Sequence, residues 1–164
     1  MAQPEWSDPA TTGRAITAPT TTDAASTALE CAAPVSQRLR TFIVDDSPIV
    51  MHNLIATLEE LTPVLVVGNA PDEESALRAL AALQQQAQQL DLLITDLYLS
   101  SGSGLGVLRG APRDAARHVV LSNYVGPEMR EKCRALGADR VFDKSRELDE
   151  LINYCIELSD APAR

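Results

Sequence analysis

No stretch of this sequence approaches the roughly 20 consecutive apolar residues that a membrane span requires. Its first residues, MAQPEWSDPATTGRAITAPT, lack the basic start and apolar centre of a secretory signal. Membrane insertion is therefore excluded. Positive charge is also short, with 14 Lys plus Arg against 23 Asp plus Glu and a formal charge of −9. That balance repels the phosphate backbone, which supplies most of the affinity for nucleic acid, so direct DNA or RNA binding is not expected. Cysteine is scarce. Cys31, Cys133 and Cys155 form an odd set without C-x-x-C spacing, which argues against a disulfide framework and a cysteine metal site, and for reduced thiols in the cytoplasm. Internal repeats are lacking. What is present, 45% hydrophobic and 23% charged residues in a chain of 164, suits a soluble globular protein with one domain and a tail.

Residues 1–38 are rich in Ala, Thr and Pro, carry no periodic apolar pattern, and read as a disordered leader with Trp6 as its only bulky ring. The domain is expected over 39–160, with 161–164 as a short tail. From Arg40 onward, β-branched runs alternate with amphipathic stretches, the signature of βα units on a parallel sheet. Five units can be read. Strands are expected at 41–44, 64–67, 92–95, 118–121 and around Val141-Phe142, with Gly68-Asn69 breaking the second. Ser47 and Pro48 announce the first helix as N-cap and first helical residue, and Met51, Leu54, Ile55 and Leu58 share one face. The second helix is expected from about Asp72 to Gln88 with Leu77, Leu80 and Ala81 inward. Pro127 starts the fourth and Gly137 stops it. In the fifth, Leu148, Leu151, Ile152, Cys155 and Ile156 fall on one face.

Parallel strands all point their carboxyl ends to one edge, so residues just beyond them converge although they are distant in sequence. Asp45 and Asp46 follow strand one, Asp96 ends strand three, Ser122 follows strand four, and Lys144 follows strand five. Each alone has an ordinary explanation as a cap, a turn residue or a solvated charge. Together they are harder to dismiss. Clustered carboxylates repel one another unless a cation shares the site, and hard oxygen ligands at an open crevice suit Mg²⁺. One acid is then a candidate nucleophile toward a phosphoryl group, with Lys144 and Ser122 available to its oxygens.

At these residues the chain resembles the receiver domain of two-component response regulators. The resemblance spans about 38–159 and rests on Phe42-Ile43-Val44-Asp45-Asp46-Ser47, Asp91-Leu92-Leu93-Ile94-Thr95-Asp96-Leu97, Gly102-Ser103-Gly104-Leu105, Val120-Leu121-Ser122, Gly137-Ala138-Asp139 and Phe142-Asp143-Lys144. It implies a flavodoxin-like, doubly wound (βα)5 fold with strand order 2-1-3-4-5. It further implies that Asp96 accepts a phosphoryl group from a sensor histidine kinase or histidine phosphotransfer protein. Asp46 and Asp96 would ligate Mg²⁺ directly and Asp45 through water, with the Tyr98 backbone carbonyl as a further ligand. Ser122 and Lys144 would then engage the phosphoryl oxygens. Three positions depart from the family pattern: Ser145 follows the lysine where Pro is common, Val141 replaces a switching aromatic, and Asn123 replaces a small residue.

The reading this favours is a stand-alone receiver that is phosphorylated, is not a turnover enzyme, and signals through contact with a downstream protein rather than an output domain of its own. A Mg²⁺-dependent phosphohydrolase with an aspartyl-phosphate intermediate would need a second acid two residues beyond its nucleophile on strand one, whereas Asp45 and Asp46 are adjacent. A receiver-like scaffold that binds without phosphorylation would not need the complete acid, hydroxyl and lysine set. His52 and His118 are read as structural.

Overall fold

A computed structural model describes residues 38–113 and 116–160. The expected leader, apart from Arg38, and the expected tail lie outside the described residues, as do Trp6 and Cys31. Ten elements alternate strictly: β1 Leu39–Val44, α1 Pro48–Leu61, β2 Val64–Ala70, α2 Glu73–Gln85, β3 Leu92–Thr95, α3 Gly104–Gly110, β4 Arg117–Ser122, α4 Pro127–Ala135, β5 Arg140–Asp143 and α5 Leu148–Asp160. The five strands form one sheet in the order β2-β1-β3-β4-β5, and every paired neighbour is parallel. This is the flavodoxin-like arrangement that the resemblance implied.

Alternation along the strands sorts the core onto two faces. Ile43, Ile94, Leu121 and Phe142 pack with Met51, Leu54 and Leu58 of α1 and with Leu151 and Cys155 of α5. On the opposite face, Phe42, Val44 and Leu93 meet Ala76 and Leu80 of α2 and Val107 of α3, while Val120 and Val141 meet Leu108 and Cys133. Both described cysteines are buried free thiols, and burial pushes Cys155 up to about 12, which leaves it protonated and unreactive at neutral pH.

Local signals in the sequence act where they were expected. Ser47 Oγ accepts from the Val50 amide with Pro48 opening α1, and Gly137 follows α4 at φ +93°. Only glycine adopts that backbone at no steric cost, so the helix ends there. Four expectations need correction. β2 runs through Gly68-Asn69 to Ala70, because Val67 is taken up as an irregularity between the Thr41–Val66 and Phe42–Gly68 pairs. Gly68 is what allows this, since a β-carbon there would lie 2.8 Å from the Phe42 ring. Helix α2 ends at Gln85 rather than Gln88, and Ala81 is exposed while Leu77 is half-buried, the inward residues being Ala76 and Leu80. Ile156 is 38% exposed, and Tyr154 and Leu158 pack in its place.

His118 has the structural place expected of it, buried on β4 with Nε2 3.2 Å from the Pro112 carbonyl oxygen. A carbonyl only accepts, so Nε2 carries the proton, and Nδ1 has no partner among the described residues. Burial lowers the pKa below the ordinary 6.5, only partly offset by the Pro112 carbonyl. Folding therefore favours the neutral ring, and its contribution is present above pH 6.5 and lost as pH falls through the lowered value. Urea midpoints at pH 7.5 and 5.0 should accordingly drop more for wild type than for His118→Gln. Equal drops would show that His118 does not set this dependence.

Candidate functional site

Strand register brings the chemistry together. Val44 pairs with Thr95, Thr95 with Val120, and Ser122 with Asp143, so Asp45, Asp96, Ser122 and Lys144 all stand at the same edge. The loops are tied there by main-chain bonds: Asp45 N–H donates to Ala70, Asp96 N–H to Val44 and Lys144 N–H to Ser122, at 3.1, 2.8 and 3.1 Å. Asp45 Oδ1 also accepts from the Ser47 amide at 2.9 Å, which turns the chain into α1.

Asp96 is the centre of the site. It is 7% exposed, and both its carboxylate oxygens are engaged: Oδ1 accepts from Ser122 Oγ at 2.5 Å, and Oδ2 from Lys144 Nζ at 2.5 Å. The same ammonium donates to Asp45 Oδ2 at 2.5 Å, while Tyr98 N–H reaches Asp96 Oδ1 at 3.2 Å. Burial by itself would lower the Lys144 pKa, but its bonds to Asp45 and Asp96 outweigh that and hold it above the ordinary 10.5. Lys144 thus stays charged between two acids. Asp46, half-buried, completes the cluster: one carboxylate oxygen each from Asp45, Asp46 and Asp96 lie within 4.8 Å of one another.

Three carboxylates around one ammonium leave a surplus of negative charge on a hard-oxygen set, the donor chemistry that suits Mg²⁺. The residues fit that ion. Every side chain expected at the site is therefore brought to one crevice, together with Tyr98. At its rim Tyr98 and Tyr124 are 61% and 87% exposed, and Asn123 is exposed beside them.

One departure from the family pattern, Ser145, has a structural replacement. Asp143 Oδ1 accepts from both the amide and the hydroxyl of Ser145, at 2.9 and 2.5 Å, so a side-chain turn fixes the chain on either side of Lys144. The Ser145 hydroxyl and amide, with the Tyr124 amide a smaller contributor, hold the Asp143 carboxyl below its ordinary range. Tyr124 itself has φ +56°, an uncommon backbone for a non-glycine residue. Val141 is buried, and its carbonyl accepts from Arg130 Nη1 at 2.6 Å. Arg130 also pairs with Glu147 at 2.7 Å and donates to the Val125 carbonyl, so one guanidinium joins α4, β5, the start of α5 and the loop after β4. Sequence reasoning missed Arg130 and Glu147, and gave no role to Asp143, which it named only within Phe142-Asp143-Lys144. The one available signal was Glu147 four residues after Asp143, where it accepts from the Asp143 amide at 2.6 Å.

The family model for the response regulator receiver domain matches residues 41–155. Among solved structures, the receiver domain of the NarL response regulator of Mycobacterium tuberculosis is similar at TM-score 0.63 and 20% identity, over 76% of this chain and 98% of that one. A LuxR-family two-component regulator from Aurantimonas sp. matches at TM-score 0.62 and 26% identity, over 71% and 81%. A Burkholderia pseudomallei response regulator, with a phosphorylated aspartic acid, a calcium ion and citrate, matches at 0.59 and 21%, over 73% and 68%. No curated protein matches the sequence. The fold and the acid edge define a receiver-type α/β domain. The chain belongs to the response regulator receiver domain family of two-component signalling.

Proposed function

We propose that this receiver domain accepts a phosphoryl group on Asp96 from a histidine kinase or histidine phosphotransfer protein in the cytoplasm. The observation that carries this is the engagement of Asp96 by Ser122 on one oxygen and Lys144 on the other, beside two further acids. An Asp96 oxygen would bond to phosphorus as the bond to the donor's imidazole nitrogen breaks, and the imidazole leaves with the electron pair. Asp45, Asp46, Asp96 and the Tyr98 carbonyl would hold Mg²⁺, which when bound offsets charge on the phosphoryl oxygens. Lys144 and Ser122, each bonded to an Asp96 oxygen, would meet those oxygens, one supplying charge and the other a hydroxyl donor. The phosphorylated aspartate and calcium ion of the Burkholderia relative are in keeping with this chemistry. The product is a changed binding surface rather than a released molecule, so the domain is a switch read by a downstream protein and not a turnover enzyme.

The test is incubation with Mg²⁺ and acetyl phosphate, followed by intact mass. One phosphoryl adduct is expected on wild type, with none on Asp96→Asn and none in excess chelator. An unmodified wild-type protein overturns the proposal, and an adduct retained by Asp96→Asn overturns the assignment to Asp96.

A further inference from the structure

Three glycines in the segment after β3 share one neighbour or one purpose. A β-carbon on Gly102, which has φ +78°, would lie 2.7 Å from Glu73 Oε2, and one on Gly106 would overlap the same carboxylate. A β-carbon on Gly104 would overlap the backbone carbonyl of Asp96. The loop is thus closed tightly around the Glu73 side chain at one end and against the phosphoacceptor's own main chain at the other. Hydrogen bonds match this packing. Glu73 Oε2 accepts from the Ser103 amide at 2.7 Å, the Glu73 amide donates to the Ser101 carbonyl at 3.3 Å, and the Gly104 amide donates to the Leu97 carbonyl at 3.0 Å. Ser103 caps α3 by accepting from the Gly106 amide at 3.1 Å, and Gly106, three residues on, has no side chain to accept from the Ser103 amide in return, so Glu73 supplies that acceptor.

We infer that Glu73 is a positioning residue for the cation site, acting through the loop it holds. Tyr98 lies between the two anchors, with Asp96 and Leu97 before it and Ser101 and Ser103 after it. Its carbonyl sits on the short stretch carried between them, so the placement of that stretch depends on both anchors. Glu73 lies on α2, outside the acid cluster, and touches none of the three carboxylates by any hydrogen bond described above. Its effect is to fix the orientation of one ligand group, so its loss costs affinity for the cation while leaving the acids in place. The inference rests on the proposed Mg²⁺ site.

Residues that orient metal ligands typically contribute roughly 10–100-fold to affinity, and one acting on a single backbone carbonyl through a loop should contribute less, about three- to tenfold. The experiment is a Mg²⁺ titration of wild type, Glu73→Ala and Glu73→Gln, followed by the amide resonances of Asp96 and Tyr98, with melting temperatures in chelator alongside. Glu73→Ala should bind Mg²⁺ more weakly by that factor. Glu73→Gln, which keeps an acceptor oxygen for the Ser103 amide, should remain close to wild type. Wild-type affinity in Glu73→Ala overturns the inference and leaves the proposed function standing, as does equal weakening in both variants. Weakening accompanied by resonance changes spread through the sheet, rather than confined to the loop, marks general loss of structure and also overturns it. If wild type itself shows no Mg²⁺-dependent shift at these amides, the proposed site fails, and the inference falls with it.

Discussion

Lys144→Met is expected to destabilise the metal-free protein by about 2–4 kcal/mol, and Mg²⁺ is expected to restore much of that loss. Removing one partner of a buried ion pair commonly costs about 3–5 kcal/mol, and the lower figure reflects a side chain that keeps 13% exposure. The cost arises because Asp45 and Asp96 would be left buried without the ammonium they share. Below pH 10.5 the contribution of Lys144 is fully present, and it is lost only as pH rises through the still higher folded value. The difference between variant and wild type should therefore be constant across neutral pH and shrink in strong alkali. A divalent cation replaces the missing charge, so the rise in melting temperature on adding Mg²⁺ should be larger for Lys144→Met than for wild type. Unchanged stability without Mg²⁺ would show that the two carboxylates do not depend on Lys144.

Gly104→Ala should cost about 2–3 kcal/mol, in the range of overpacked sites, and should abolish modification by acetyl phosphate even where the protein remains folded. The added carbon would overlap the Asp96 carbonyl oxygen and lie 2.7 Å from the Asp96 carbonyl carbon and 2.8 Å from Leu97 Cα. All of these are main-chain atoms, so no rotamer change relieves the clash. Either α3 lifts away and carries the loop after Asp96 with it, or the end of β3 shifts and Asp96 loses its registry with Ser122 and Lys144. Gly126 provides the comparison, because a β-carbon there meets nothing within 4 Å and its φ of −71° is ordinary. Gly126→Ala should stay within about 1 kcal/mol, the cost of a poorer N-cap residue. Denaturant midpoints and adduct yield measured on both variants check the pair. Normal adduct yield in Gly104→Ala would show that the loop is not rigid against Asp96.

The parts of this molecule legible in the sequence are those set by local chemistry and by strand direction. Ser47-Pro48 and Gly137 are boundary signals whose physics is contained within a few residues. Asp45, Asp46, Asp96, Ser122 and Lys144 could be gathered before any coordinates, because parallel strands deliver their carboxyl ends to one edge. Gly68 misled because the ring that requires it belongs to Phe42 on another strand. Ala81 misled because alanine carries little pattern information, and Ile156 because Tyr154 and Leu158, rather than Ile156, pack beside buried Cys155. Glu73 with Ser103, and Arg130 with Glu147, join residues 30 and 17 positions apart through single hydrogen bonds. Nothing in local composition marks such pairs.

The hydroxyl of Ser122 already faces Asp96 without a phosphoryl group between them. On the proposed function the inward hydroxyl is present before phosphorylation, and what phosphorylation adds is the phosphoryl group rather than the turning of Ser122. If Asp96 is the phosphoacceptor as proposed, a partner that binds the phosphorylated form more tightly must, by thermodynamic reciprocity, favour phosphorylation by the same factor. Under that proposal the reader of the signal and its writer are coupled, and the abundance of the one sets part of the sensitivity to the other.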